Sequence, residues 1–385
     1  MAVEQMLLSL AILLFSAKLL GELAERAGLV SLIGEILAGI IVGPVLGLVV
    51  IGGAQINDLI TVFIIFVLFL AGLRVKFDDV REHMYSASIL AFVGGFCSFL
   101  LGFLVGMLLL GSVVVAFAIG VVILSSSDIT LFAFLHKTGM YSTRIGRMIA
   151  ATTIADDIVG VMFLSALFAF ISSQALNMNE IFRLLLLSIG FYLFMFTAGT
   201  KVLNRLLKEV GKLKSGMMMF ALPVAFAFFI AYVADNLGIG MAVGAFVAGM
   251  TLANNEHSES TIIPKVDVMS RGLAEPILYS VVGASLVLSD LNYLLIASIV
   301  LVAVLGKAVG IGFASRFFGV GKGNSKIFGI MMIPRGNDNI ALVQVILLLG
   351  VITFQVYTSM VFAIIATILV TPLLLKLVCG SKYGD

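Results

Sequence analysis

The sequence predicts an all-α membrane protein of 13 transmembrane helices, built as two inverted six-helix repeats that each contain a broken helix. Three observations carry this reading. Of 385 residues, 61% are hydrophobic and 11% are charged, whereas soluble domains carry roughly 25% charged residues, so the excess apolar surface has to be solvated by lipid. A bilayer-crossing helix takes about 20 apolar residues, and the chain length accommodates about 13 such helices with their connections. Finally, three motifs recur in the same order in the two halves of the chain.

The apolar segments are bounded by polar residues or by Gly and Pro. They run over about 5–27, 30–49, 57–74, 83–111, 112–138, 142–172, 178–205, 215–235, 238–255, 262–287, 290–318, 324–350 and 352–379. The first run, from Met6 to Leu20, lacks a basic start and a small-residue cleavage site, so it reads as a retained helix and not a signal peptide. Basic residues fall in alternate connections: Arg26; Arg74, Lys76 and Arg81; Arg144 and Arg147; Lys208, Lys212 and Lys214; Lys265 and Arg271; Lys322 and Lys326; and Lys382 in the tail. By the positive-inside rule this predicts an N-terminus outside and a cytoplasmic C-terminus.

The repeat pairs Ile33, Gly34 and Gly43 of IGEILAGIIVGP with Ile239, Gly240 and Gly249 of IGMAVGAFVAG. It also pairs Gly72, Val75, Phe77, Asp79 and Val80 with Gly283, Leu286, Leu288, Asp290 and Leu291, and SDITLFAFLHKTG from Ser127 with NDNIALVQVILLLG from Asn337. All three offsets lie between 206 and 211 positions, which carries the first span onto the eighth. Seven crossings is an odd number, so the copies have opposite orientation and the seventh span serves as the linker, a plan that places a transport site at the midplane between broken helices.

Five ionisable residues fall where lipid makes charge costly: Asp128, Asp156, Asp157, Lys307 and Asp338. A charge at the bilayer centre costs at least about 2.5 to 3.5 kcal/mol, which makes each a functional candidate. Asp156 lies nine residues from Arg147 and Lys307 nine from Arg316, a rise of about 14 Å that puts both near mid-depth. Adjacent carboxylates on a helix diverge by about 100° and take different partners. One is held by a buried ammonium, with Lys307 the candidate, while the other faces a wet cavity and exchanges a cation for a proton. Burial and neighbouring charge shift the titration of such groups, and a site that titrates near neutrality is what proton coupling needs. The bland alternative is a static ion-pair network, which needs only one acid.

Asp128 and Asp338 occupy equivalent places in the repeat, within SSSDIT (Ser125, Ser126, Ser127, Asp128 and Thr130) and IPRGNDN (Pro334, Arg335, Gly336, Asn337 and Asp338). Pro334 and Gly336 are expected to break the twelfth span, and the acids to compensate the positive ends of half-helices in preference to binding an ion directly. Arg335 balances the acids or lines a cytoplasmic entrance. Glu35 is either a cation attractor in a funnel or a helix-contact residue, and Lys18 and Glu22, one turn apart, are expected to pair locally. His83, His136 and His257 read as solvated loop residues, with His136 a candidate for pH sensitivity. The Gly-rich runs lack phosphate-loop spacing and serve close helix packing. Cys97 and Cys379 lie in apolar stretches far apart and outline neither a disulfide nor a metal cluster. No Ser/His/Asp triad or zinc-ligand constellation appears. A net charge of +2 argues against nucleic acid as a partner.

IGEILAGIIVGP, SDIT, the ADD run at 155–157, LGK at 305–307 and PRG at 334–336 span nearly the whole chain and resemble, in order, the monovalent cation:proton antiporters of the second group, in particular bacterial and archaeal sodium/proton antiporters. The resemblance implies that Asp157 is the main ion and proton carrier, and that Asp156 is the partner of Lys307 and releases it when a cation arrives. It also implies electrogenic exchange of two protons for one sodium, because electroneutral relatives tend to have Asn at the position of Asp156. The implied fold has two bundles with crossed broken helices: a dimer-forming scaffold (1–82 and 215–289) and a mobile core (83–172 and 290–379) that moves like an elevator, joined by the linker helix 178–205 and followed by a short cytoplasmic tail (380–385). Ser126, Ser127, Asp128, Thr130, Arg335, Asn337 and Asp338 would support the broken helices. Expected partners are Na+ or Li+, protons, membrane lipid and a second copy in a homodimer, with no cofactor beyond the transported Na+ and H+, in the plasma membrane.

Some relatives have an acid directly after PRG, where this chain has Asn337 and then Asp338. Potassium efflux systems often have a Gln-Asp pair and a long cytoplasmic domain, while this chain has Asp-Asp and stops six residues after Cys379, both favouring sodium or lithium. The alternatives are a potassium/proton antiporter of the same fold and a sodium-coupled organic anion symporter, which would use polar sodium ligands in place of the acid pair. A channel, a sensor or an intramembrane aspartyl protease fits less well: a sensor would bring a soluble domain, and a protease would place its two Asp on separate helices.

Overall fold

In a computed structural model the chain is described over residues 2–49, 54–75, 83–127, 131, 135, 140, 143–172, 178–211, 217–289 and 291–379, and is all α-helical there apart from turns and short 3-10 and π segments. Among the described residues eight helices are long and apolar enough to cross a membrane, from Glu4–Arg26 to Phe354–Val378, and four shorter apolar helices accompany them. Expectations placed on Asp128, Thr130, His136, Phe77, Asp79, Val80, Asp290 and the tail 380–385 lie outside the described residues.

By its internal contacts the chain divides into two compact units: Met1–Lys76 with Phe168–Leu288, and Phe77–Leu167 with Ser289–Asp385. The first unit holds α1 (Ala2–Arg26), α2 (Ser31–Ile40), α3 (Ala54–Leu73), and further along the chain α7 (Met178–Phe194), α8 (Thr200–Gly211), α9 (Met218–Asn236), α10 (Met241–Leu252), α11 (Ile263–Met269) and α12 (Glu275–Ala284). Glycine lets these helices touch backbone to backbone. A methyl on Gly43 would lie 2.6 Å from Ala284 Cα at the end of α12, and one on Gly249 of α10 would lie 2.7 Å from the Leu73 nitrogen of α3. The span expected at 262–287 is divided by a π turn, Ser270–Ala274. Pro276 near the start of α12 has no N–H to offer the preceding turn, and the hydrogen-bond register slips there.

The local pair expected between Lys18 and Glu22 is not what forms. Glu22 accepts from Arg26 Nε at 2.8 Å, the favoured acid-before-base order one helical turn apart. Lys18 Nζ reaches instead to Glu35 Oε1 at 3.3 Å and to the Arg271 carbonyl at 2.6 Å. Glu35 is buried, and a buried carboxylate needs a counter-charge more than an exposed one does.

The second unit holds α4 (Met84–Leu110), α5 (Val113–Val122), most of α6 (Arg144–Ser172), α13 (Tyr293–Ala314), α14 (Lys322–Met331), α15 (Asn337–Leu348) and α16 (Phe354–Cys379). α4 stops at Gly111, which at φ 67° donates its N–H to Met107 O at 3.1 Å, a left-handed cap that glycine adopts without penalty. α4 packs against α13 where a methyl on Gly306 would lie 2.6 Å from Ser98 Cα and one on Gly310 3.2 Å from Gly94 Cα. Two apolar stretches are interrupted. α5 ends at Val122 and the chain leaves helical geometry through 125–127, while α14 ends at Met331 and α15 resumes at Asn337, the gap containing Pro334 and Gly336.

Candidate functional site: two interrupted helices around a buried ion pair

The candidate site lies within the second unit. α6 supplies Asp156 and Asp157 from its interior, in a run where Thr152 and Thr153 hydrogen-bond back to their own helix through Met148 O and Ile149 O. Asp156 is 0% exposed and Asp157 7%. Lys307 of α13, also 0% exposed, donates from Nζ to Asp156 Oδ1. The other carboxylate oxygen, Oδ2, accepts the Ser126 N–H at 2.8 Å. Two buried charges are thus paired and the anion has a second donor, the condition under which charge survives away from water.

The interruptions are stitched to each other. Ser126 Oγ donates to Met332 O at 2.7 Å and Ser127 N–H to Pro334 O at 2.8 Å. Arg335, 0% exposed, donates from Nε to Ile123 O at 2.9 Å, from Nη1 to Met332 O at 3.1 Å and Ile333 O at 2.5 Å, and from Nη2 to Ala303 O at 3.4 Å. Its backbone N–H donates to Thr367 Oγ1 of α16 at 3.1 Å. The guanidinium therefore caps carbonyls left over where α5 and α14 stop, at the negative ends of both helices. In this arrangement Arg335 is fully enclosed and its guanidinium is spent on backbone carbonyls.

Asn337 and Asp338 form the first turn of α15, where an acid meets the positive helix end. Asn339, one residue on, completes the turn: its Oδ1 accepts the Gly336 N–H at 2.9 Å, while its Nδ2 donates to Val122 O at 2.7 Å and to Ser125 Oγ at 3.2 Å. Asn339 is a residue of the site that the sequence motifs leave unmarked. The available signal was local, a polar residue at the third helical position after a break, where a side chain reaches back to the cap. Its second role, reaching a carbonyl 217 positions away, leaves no mark in the sequence.

Asp156, Lys307, Ser126, Ser127 and Arg335 are thus gathered in one buried network, with Asn337 and Asp338 at its edge. His257 is not part of it: its Nε2 stands 3.6 Å from Glu256 Oε1, in the first unit.

The chain and its fold have known relatives. Residues 10–379 match the family described as sodium/hydrogen exchanger, transmembrane. The chain is 24% identical over 379 residues to the Na(+)/H(+)-K(+) antiporter GerN of Bacillus cereus, covering 97% of this chain and 96% of that protein. It is 28% identical over 399 residues to the Na(+)/H(+) antiporter NhaS4 of Synechocystis, covering 96% of each. Its fold is similar to that of the sodium proton antiporter MjNhaP1 from Methanocaldococcus jannaschii, with a TM-score of 0.70 at 18% identity, over 99% of this chain and 100% of that one. A match along nearly its entire length places this multi-pass membrane chain in the sodium/hydrogen exchanger family, a family of transporters and not of enzymes.

Proposed function

We propose that the chain exchanges sodium, or lithium, for protons at one alternating-access site, with cation and proton competing for Asp157 and Asp156. The observation that carries the reading is the buried Asp156–Lys307 pair beside Asp157, held where two helices are interrupted. Asp157 is the main carrier. Asp156 holds Lys307 while no cation is bound and releases it when one arrives, so that binding a cation and keeping the internal ion pair are mutually exclusive. The cation is cargo, and the protein's own groups supply the proton-binding carboxylates, the counter-charge and the fixed dipoles of the half-helix ends.

The wider reading is of 13 crossings in two inverted six-helix repeats, the N-terminus outside and the C-terminus cytoplasmic, in the plasma membrane. The core (83–172 and 290–379) carries the site like an elevator against a dimeric scaffold (1–82 and 215–289), with 178–205 as linker and lipid around both. Support comes from the ordered motif repeats, the alternation of basic connections and the way contacts divide the chain near these boundaries. Potassium in place of sodium is the second reading, favoured by the name of the GerN relative, which includes both ions.

Proteoliposomes holding a pH-sensitive dye test the proposal. Adding sodium outside should drive proton movement in the wild type and none in Asp157→Asn. Undiminished movement in that variant would overturn the assignment of the carrier, and a response to potassium but not sodium would select the second reading.

A further inference from the structure

We infer that Ser98 is a positioning residue that takes up the Lys307 ammonium when Asp156 lets it go, an inference that rests on the exchange proposed above. Ser98 lies in the interior of α4 and is 0% exposed. Its Oγ has no hydrogen-bond partner among the described residues. Buried serines elsewhere in the chain bond back to their own helix, as Ser165 does to Val161 O and Ser188 to Leu184 O, both at 2.9 Å. Ser98 forgoes that bond, and a buried polar group left unpaired calls for an explanation.

Its surroundings supply one. A methyl on Gly306 would lie 2.6 Å from both Ser98 Cα and Ser98 Oγ, so the hydroxyl rests on the α13 backbone at the residue just before Lys307. A methyl on Gly95 would lie 3.5 Å from Asp156 Oδ1, the very oxygen that Lys307 bonds. Gly95 and Ser98 are three residues apart and share a face of α4, about 4.5 Å along the axis. The unpaired hydroxyl therefore belongs to the residue one helical turn along α4 from the position that faces the ion pair.

An ammonium has three donors, and the hydrogen bonding of Lys307 among the described residues goes to Asp156. When a cation or proton occupies the carboxylates, the buried ammonium needs another acceptor. The carbonyls of Ile123, Met332, Ile333 and Ala303 around the interruptions already receive Arg335. The Ser98 hydroxyl, with two lone pairs and no bond to give up, is the open acceptor. Its use lowers the free energy of the cation-loaded state without strengthening the internal pair, so it tunes sodium affinity.

The test compares wild type, Ser98→Ala, Ser98→Gly, Lys307→Gln and the Ser98→Ala/Lys307→Gln double variant in proteoliposomes and as purified protein. Ser98→Ala and Ser98→Gly should raise the KM for sodium by about tenfold or more, the scale of a lost hydrogen bond to a charged group, with a much smaller change in kcat. Without sodium the thermal unfolding midpoint of Ser98→Ala should equal or exceed that of the wild type, because the hydroxyl removed had no partner. In the Lys307→Gln background, Ser98→Ala should leave sodium-dependent thermal stabilisation unchanged. A KM within about twofold of wild type in both single variants overturns the inference, as does an equal loss of sodium stabilisation with and without Lys307. A wild type lacking sodium-driven proton movement defeats the underlying exchange reading, whereas an active wild type with an unmoved KM in the Ser98 variants defeats this inference alone.

Discussion

A lysine ammonium enclosed by protein tolerates its position only through what it donates to, and for Lys307 that is Asp156. Removing one member of such a pair strands the other, at a typical cost of about 3–5 kcal/mol, while replacing both with apolar groups of similar volume is often neutral or stabilising. Asp156→Leu and Lys307→Met should therefore each lower the thermal unfolding midpoint of the purified protein markedly, and the double variant should be more stable than either single one. A double variant as unstable as the sum of the two would mean that the residues act independently. The sign of that interaction matters for transport. If the double variant also matches or exceeds the wild type, the pair is kept for something that apolar packing cannot do, and a charge that can be released is such a function. Arg335 presents the opposite case. Its guanidinium donates to backbone carbonyls through several nitrogens at once, a fixed fork that lysine cannot reproduce.

At the scale of elements, the interruption between α14 and α15 depends on close approach as much as on broken hydrogen bonding. A methyl on Gly336 would lie 2.6 Å from Ser127 Cβ, in the segment that follows α5, whereas Gly321, the residue just before α14, has nothing within 4 Å of the same position. Gly336→Ala should cost about 1–3 kcal/mol, the usual penalty of overpacking. Gly321→Ala should stay within about 0.5 kcal/mol of wild type. Thermal unfolding of the two purified variants checks the contrast, and equal midpoints would mean that the crossing yields freely. The contrast also shows what the sequence made legible. Pro334 and Gly336 announce a helix stop because proline lacks a donor and glycine favours non-helical geometry, and both signals are local. Which of two neighbouring acids meets Lys307 was not legible from the residues themselves, since helical spacing says only that they diverge, and the resemblance supplied Asp156. The bond from Asn339 to Val122 O and that from Lys18 to Glu35 were invisible for a different reason: each depends on how distant helices come together, while sequence patterning reports only which face of a helix is apolar.

At the scale of the whole molecule, the adjacent carboxylates make a statement about charge bookkeeping across the membrane. If Asp156 and Asp157 both load protons in one direction and together take one monovalent cation in the other, a net charge crosses in every cycle. The membrane potential then enters the driving force at about 2.3 kcal/mol per charge for each 100 mV. A tenfold concentration ratio of one ion corresponds to about 1.4 kcal/mol, so 100 mV should displace the sodium ratio at which exchange stalls by about fiftyfold. At zero potential a tenfold proton gradient should balance a sodium gradient of about a hundredfold, because two protons are set against one cation. Proteoliposomes clamped with potassium and valinomycin, with sodium and pH gradients varied until proton movement stops, measure both quantities. A stalling point indifferent to potential, lying where the two gradients are equal, would establish one-for-one exchange. It would leave the second carboxylate with a purely internal task, holding Lys307 in place while Asp157 alone trades its proton for the cation.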